Sequence, residues 1–305
     1  MNAALHTQRG RIISNYASLL AGLLIGILVT RLLLGSGEAL FGIYTTITVG
    51  MGISIMLTEL LRMGIVPELG PHVFDGEILD RENFGKVLTA AFVISFCAAL
   101  LGTVVMVVLG LWLLANEAAP ELERAAWIFL GARIAMMVLV VTLTPAMSIL
   151  LVSRRQPIFN LVLFFERASE LFGIAIPLWL LRGPSADVGQ TLIQIGVGVA
   201  LLTAMTHITA ASFVFSLGSK FRPTLRIPQR SELLAVLRRI GWSSLQTVSM
   251  NLYVRADVLI VAAFAEPAGT VALGIALRLM GYMRQATMGL VNGLDAVFAN
   301  INGQR

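Results

Sequence analysis

Long apolar runs alternate with short polar stretches along the whole chain. Eight of these runs reach the roughly 20 residues that a helix needs to cross a bilayer. They cover residues 12–34, 41–61, 87–114, 125–152, 158–181, 189–217, 241–265 and 268–298. The dyad alternation over about ten residues that marks barrel strands does not occur. The pattern therefore predicts an all-α polytopic membrane protein. Pro145 and Pro177 fall inside the fourth and fifth spans. Each removes a backbone donor, which predicts a kink.

The polar stretches sort by length and charge. With the N-terminus in the cytoplasm, the outside loops are short: Gly35–Leu40, Ala115–Glu123, Arg182–Val188 and Ala265–Pro267. The inside loops are longer. Arg62–Lys86 has mixed charge and its own turn residues, and Gly218–Ile240 is basic. Within the latter, SELLAVLRRI has apolar residues at helical spacing, with Ser231 as a candidate N-cap. It reads as an interfacial helix, or else as a solvated basic linker. The inside segments carry Arg9, Arg11, Arg62, Arg81, Lys86, Arg154, Arg155, Lys220, Arg222, Arg226, Arg230, Arg238, Arg239 and Arg305. The outside ones carry only Arg124 and Arg182, with Arg31 at an outer helix end. That asymmetry follows the positive-inside rule and predicts a multi-pass protein of the cytoplasmic (inner) membrane, N-terminus in the cytoplasm.

Composition sharpens the class. The chain has 305 residues, 57% of them hydrophobic and 13% charged, and a mean hydropathy of +0.85. Soluble domains carry about 25% charged residues. The formal charge of +5 reads as loop charge facing the cytoplasm and acidic lipid, not as nucleic-acid binding. Cys97 is the single cysteine, which excludes internal disulfides and cysteine metal clusters. The sequence offers no metal site, no cofactor motif, no phosphate-binding glycine loop and no nucleophile–base constellation.

The first and last hairpins are alike. VTRLLLGSGEALFGIYTTITVGMGI begins with a charge in the outer half of a helix, Arg31. It turns at Gly37–Glu38 and resumes with Gly42–Ile43. RADVLIVAAFAEPAGTVALGIALRLMGYM does the same with Arg255 and Asp257, Ala265–Glu266 and Gly274–Ile275. Span seven thus reads as the start of a second copy of the unit that began at span one, in the same direction. Parallel repeats in transporters place the substrate path between halves.

The run Arg31-Leu-Leu-Leu-Gly-Ser-Gly-Glu38-Ala-Leu-Phe-Gly42-Ile-Tyr44 resembles the first hairpin of the polysaccharide (lipid-linked oligosaccharide, Wzx-type) flippases of the MATE-like, or MOP, exporter superfamily. Arg255-Ala-Asp257-Val-Leu-Ile, followed by Leu273-Gly274-Ile-Ala276-Leu-Arg278-Leu279, resembles the seventh and eighth helices of that family. The resemblance implies a MATE/MOP-like helical bundle of two six-helix lobes around a central cavity. It also implies movement of an undecaprenyl-type lipid-linked oligosaccharide across the cytoplasmic membrane for polysaccharide biosynthesis. The chain would supply a six-helix lobe over residues 1–217, a cytoplasmic basic linker or interfacial helix over 218–240, and the first hairpin of an incomplete second lobe over 241–305. It reads as truncated after the eighth helix. The implied partners are the lipid-linked substrate, membrane lipids and other glycan-assembly proteins.

Ionisable residues inside spans are costly and mark functional sites by default. Here they are Arg133 in span four, Glu166, Arg167 and Glu170 in span five, Arg255 and Asp257 in span seven, and Arg278, Arg284 and Asp295 in span eight. Glu166 and Glu170 are four residues apart and share a helical face. Arg255 and Asp257 lie on opposite sides of their helix, and Arg255 shares a face with Asn251. One reading is packing by interhelical ion pairs. The other is a hydrated, slightly cationic cavity for a polyanionic head group, since guanidinium forks match phosphate oxygens. On that reading Arg255, Arg278 and Arg284 contact a pyrophosphate, helped by Asn251, with Arg133 and Arg167 as second choices. Asp257, or the Glu166–Glu170 pair, would couple transport to a cation. His207, beside Thr206 in span six, reads as a hydrogen-bonded interior residue.

Four readings compete, the last a structural membrane partner with no transport of its own. A flippase leads, and a cation-coupled small-molecule or drug antiporter of the same superfamily comes second. A membrane-embedded glycan-assembly enzyme comes third, because such enzymes carry large loops or domains with acid, base or metal ligands, which these short outside loops do not provide.

Overall fold

The computed structural model describes residues 8–50, 53–74, 77–117, 120–180, 187–218, 221, 227–264 and 267–288. Ten helices follow one another: α1 (Gln8–Leu34), α2 (Glu38–Thr45), α3 (Ser54–Leu69), α4 (Arg81–Glu117), α5 (Pro120–Thr142), α6 (Thr144–Val152), α7 (Gln156–Leu180), α8 (Val188–Ser216), α9 (Arg230–Phe264) and α10 (Pro267–Met288). Five runs among the described residues are long and apolar enough to cross a membrane: Ile13–Leu34, Glu38–His72, Arg81–Leu114, Leu122–Val152 and Val188–Ser216. They coincide with predicted spans one, two, three, four and six. The chain is a multi-pass helical membrane protein. Helix α7 carries Glu166, Arg167 and Glu170 within its 25 residues, so its length is that of a span but its composition is not purely apolar.

The turn sequences explain the breaks. Gly35, Ser36 and Gly37 close the first hairpin, and Gly37 takes φ 108°, a conformation that costs glycine nothing. Ser36 Oγ donates to the Leu32 carbonyl at 2.7 Å, and Glu38 starts α2 at the positive end of its dipole. Span two then loosens into a π segment, Thr46–Gly50, before α3. Span four breaks at Leu143, and Pro145 enters the first turn of α6. A proline is tolerated there because its missing N–H has no helical partner anyway. The predicted disturbance at Pro145 is thus a helix boundary. Pro177, by contrast, stays inside α7. Between α6 and α7, Arg155 N–H bonds the Leu150 carbonyl at 2.7 Å and Arg154 N–H the Leu151 carbonyl at 3.1 Å. This is the Schellman pattern, with Arg154 at φ 57° where glycine is usual.

Two stretches differ from the sequence expectation. The inside loop from Arg62 begins later: α3 continues to Leu69, placing Glu59 and Arg62 within the helix. Pro67 sits in its last turn, too near the end to stop it. The loop proper is a 3₁₀ turn (Gly70–His72) and a short antiparallel pair, β1 (Val73–Phe74) with β2 (Glu77–Ile78). The helix foreseen from Ser231 is present, but it runs on through Gly241 into span seven as one 35-residue helix. Its cap, Gln229, is two residues earlier than expected. Glu232 N–H bonds the Gln229 carbonyl at 3.0 Å, and Glu232 Oε2 accepts from Gln229 N–H at 2.9 Å, the reciprocal half of a capping box.

Helix α1 packs along α7, α7 on α8, α8 on α5 and α5 on α4, while α3 and α6 fill the interior. Buried shares confirm the centre: 60% of the apolar window of span two and 61% of span four are covered, against 17% of span one. The lipid-facing side of α4 leaves Leu100, Leu101, Val104 and Val108 open. Helix α9 lies on α3 and α4, and α10 on α2, α1 and α9. The last hairpin is therefore packed against the first. Glycines set the closest approaches. A Cβ on Gly173 of α7 would stand 2.6 Å from the Val199 backbone nitrogen of α8, and one on Gly64 of α3 would stand 2.2 Å from Ile240 Cγ1 of α9. Small residues of this kind let helices pack where lipid removes the usual hydrophobic drive.

Candidate functional site

The polar side chains inside the bundle are organised by α7. Gln156, Asn160 and Arg167 recur on the face towards α1. Asn160 Nδ2 donates to Asn15 Oδ1 at 2.6 Å and to Ser14 Oγ at 2.9 Å. Gln156 Nε2 donates to Asn160 Oδ1 at 3.3 Å. Two turns further on, Arg167 lies over Gly22 of α1, where any Cβ would meet its guanidinium. Its Nη1 reaches the Ser18 carbonyl at 3.5 Å. Gly22, having no side chain, makes room for that charge.

The face of α7 towards α8 holds Glu166 and Ser169. Ser169 Oγ and Thr206 Oγ1 are 3.2 Å apart. His207 is 4% exposed, with Nδ1 3.1 Å from the Thr203 carbonyl and Nε2 3.8 Å from Glu166 Oε2. The carbonyl accepts only, so Nδ1 carries its proton. Nε2 then faces the Glu166 carboxylate across a gap longer than a hydrogen bond. The expectation of a hydrogen-bonded interior histidine holds.

Glu170 turns a third way, accepting a hydrogen bond from the Tyr44 hydroxyl of α2. Glu166 and Glu170, predicted as a pair on one face, thus have separate partners on separate helices. A spacing rule sees the shared face but not which neighbour each residue meets.

Arg133 of α5 joins this group. It is 9% exposed, and its guanidinium carbon lies 5.9 Å from both the Tyr44 and Phe129 ring centroids. The two rings are themselves 5.8 Å apart. Its Nη1 points to Met136 Sδ at 3.7 Å. Helices α2, α5, α7 and α8 therefore bring Tyr44, Arg133, Glu170, Glu166 and His207 into one intramembrane region.

The other predicted residues are on the last hairpin. Asp257 is half-buried on α9. Asn251 and Arg255 on α9, and Arg278 and Arg284 on α10, lie in helix but outside the residues whose side chains are described; Asp295 lies outside the described residues altogether. Helix α10 meets span two at its π segment's approach, where a Cβ on Gly274 would stand 2.7 Å from Thr45 Cγ2. The buried hydroxyls of Thr45 and Thr48 have no hydrogen-bond partner. The sequence reading missed Tyr44 as a site residue, and it missed the Asn15–Asn160 cluster. The signal for the second was present as Gln156, Asn160 and Arg167 on one stripe of an apolar helix. No group of three or more metal-ligating side chains occurs among the described residues.

No family model matches the chain, and no curated relative matches its sequence. Solved structures do match its fold. A MOP superfamily transporter from Pyrococcus furiosus, reported with a binding pocket of reverse polarity, is 18% identical with a TM-score of 0.67. That match covers 96% of this chain and 64% of the other. A MATE transporter in complex with MaD3S is 17% identical with a TM-score of 0.66, covering 96% and 65%. An outward-facing multidrug resistance MATE family transporter is 17% identical with a TM-score of 0.61, covering 96% and 64%. The chain spans about two thirds of the length of each, falling just short of it, and shares with them the fold of MOP superfamily transporters.

Proposed function

We propose that this chain belongs to a membrane transporter of the MOP type, and that its cargo is an undecaprenyl-type lipid-linked oligosaccharide. The observation that carries the transporter reading is the polar region centred on α7, set inside a bundle with the MOP fold. Three ionisable residues in one span, each engaged by a different helix, cost too much to be kept for packing alone. Cargo chemistry rests on the excess of guanidinium in that setting. Arg133 and Arg167 lie inside the first six spans, and Arg255, Arg278 and Arg284 fall on the hairpin packed against them. A pyrophosphate diester, with four non-bridging oxygens sharing two negative charges, suits such forks. The arginine distribution favours the cytoplasmic membrane with the N-terminus inside. The test is polymer export in cells that depend on this protein. Arg255→Glu with Arg284→Glu abolishes export if the reading is right, and intact export discards the cargo assignment.

The His207–Glu166 pair and the Glu170–Tyr44 bond favour a second reading, a cation-coupled small-molecule antiporter. There, proteoliposomes with an imposed pH gradient accumulate a cationic dye, and Glu166→Gln or Glu170→Gln stops the accumulation while polymer export is unaffected.

A further inference from the structure

Span two supports both helices of the last hairpin, and it is interrupted between them. Helix α10 packs along α2, while α9 packs along α3 and touches the π segment in between. That segment continues a run of five β-branched residues, Thr45, Thr46, Ile47, Thr48 and Val49. Such residues lose side-chain freedom in a helix, so α geometry is weakly held there. The threonine hydroxyls record the interruption. Thr30, Thr89, Thr103, Thr144, Thr191 and Thr206 each donate to the carbonyl four residues back, at 2.8 to 3.2 Å. Thr45 and Thr48 do not, and their buried hydroxyls have no partner. An orphaned buried hydroxyl is costly, and two within four residues call for an explanation. The two halves of span two also belong to different neighbours. Helix α3 is packed on α4, α5, α6 and α9, whereas α2 lies chiefly on α10. There a Cβ on Gly274 would stand 3.5 Å from Thr45 Cβ. The described tie of α2 to α7 is the Tyr44–Glu170 hydrogen bond. Its tie to α5 is the contact of the Tyr44 ring with Phe129 and Arg133. Phe129 fills the notch at Gly196 of α8, where a Cβ would stand 2.4 Å from Phe129 Cδ2, so it is anchored to α8 and not to α2.

We infer that the π segment is a joint about which α2 moves together with α10 while α3 stays in place, and that the Tyr44–Glu170 hydrogen bond is the catch holding α2 against α7. The inference goes beyond the transporter reading and depends on neither the cargo nor a coupling ion. The helical ladder is already interrupted at the joint, which is where helices bend. From Thr48 to Ala39 the moving arm is about 14 Å long, so a bend of about 20° carries Ala39 through about 5 Å. Opening the catch removes a donor from Glu170 and one of two flanking rings from Arg133, so the position of the arm and the surroundings of both charges change together.

The test measures distances between spin labels on the purified chain in lipid nanodiscs, with the free Cys97 removed as Cys97→Ser. One label pair, Ala39→Cys with Leu161→Cys, spans α2 and α7. The other, Met63→Cys with Leu161→Cys, spans α3 and α7. All three positions are exposed. The first pair is expected to show one main distance while the catch is intact. Tyr44→Phe keeps the ring and removes the donor; it adds a second distance displaced by about 5 Å and leaves the α3 pair unchanged. Deleting Thr48 takes a residue out of the π segment, makes span two continuous and abolishes the added distance. Where the deletion does not fold, Thr46→Ala with Thr48→Ala and Val49→Ala strengthens α geometry over the same stretch and lowers the added population about threefold or more. A first pair that Tyr44→Phe leaves unchanged overturns the inference. So does a shift of both pairs together, which is the motion of a rigid span, or an added distance that survives the deletion or the alanine substitutions undiminished. None of these distances involves a cargo or a gradient, so failure of the transport reading leaves the joint standing.

Discussion

Gly173 of α7 meets α8 backbone to backbone, so an alanine there would collide with main chain that cannot swing aside as well as with Val199 Cγ2. Its Cβ would lie 2.6 Å from the Val199 nitrogen and 2.7 Å from the Val199 Cα. Carbon atoms rest at about 3.5–4.0 Å, so α7 and α8 would have to part by about 1 Å. Overpacking of this kind costs about 1–3 kcal/mol. Removing a glycine from a helix interior returns up to about 1 kcal/mol. The expected net loss for Gly173→Ala is therefore about 1–2 kcal/mol. Gly198 provides the control on the facing helix. Its Cβ would stand 3.3 Å from the Gly173 carbonyl oxygen and 3.5 Å from its Cα, tight enough that the neighbour gives by a few tenths of an ångström but short of a clash. Gly198→Ala is expected to change stability by no more than about 0.5 kcal/mol, because propensity and crowding nearly cancel. Tryptophan fluorescence during thermal and denaturant unfolding in detergent measures both. A Gly173→Ala protein as stable as wild type, or one more stable than Gly198→Ala, refutes the close crossing.

Asn160→Ala removes the donor shared by Asn15 and Ser14, and should cost about 1–2 kcal/mol, in line with interhelical hydrogen bonds in membranes; the same unfolding measurement checks it. At the α3–α9 contact, the Arg239–Glu68 ion pair is 2.7 Å long with Arg239 63% exposed, so Arg239→Ala should cost under about 1 kcal/mol. Gly64→Leu, which collides with the Ile240 backbone 3.1 Å from the added Cβ, should cost more, and a reversed order would show that charge and not packing joins the two helices. Asp80 caps α4, accepting from the Asn83 amide at 3.1 Å and from its side chain at 2.6 Å. The Asn83 backbone bond, then its side-chain bond, hold the Asp80 carboxyl below its ordinary 3.8. That stabilisation is present above pH 3.8 and fades as pH falls below it through the folded-state value. Melting midpoints of wild type and Asp80→Ala should differ at pH 6 and converge on acidification, and a constant gap would contradict the cap.

The spans were legible because lipid demands long apolar runs, and the pattern carried most boundaries. Where it failed, local chemistry decided. The turn at Gly70 hid behind the proline and charges of α3's last turns, and Gly241 alone could not break α9. Candidate charges were equally plain, since Arg133, Glu166, Arg167 and Glu170 stand out in apolar sequence. Their partners were not. Tyr44 and Glu170 are 126 residues apart, and His207 faces Glu166 only through the register of α7 on α8. Periodicity assigns a residue to a face of its own helix; which helix covers that face depends on tertiary packing, here set by glycines at 22, 173 and 196.

The unbroken length of α9 has a mechanical consequence. Its 35 residues make a rod of about 52 Å, against a hydrocarbon core of about 30 Å. Such a rod is a lever, and the tight Gly64–Ile240 contact is the natural fulcrum. About 36 Å of helix separates Ile240 from Phe264, so a tilt of about 10° at the fulcrum sweeps the far end through about 6 Å. Small adjustments where α9 crosses α3 are therefore magnified at the turn into α10, and the smoothness of one glycine governs how freely the lever swings.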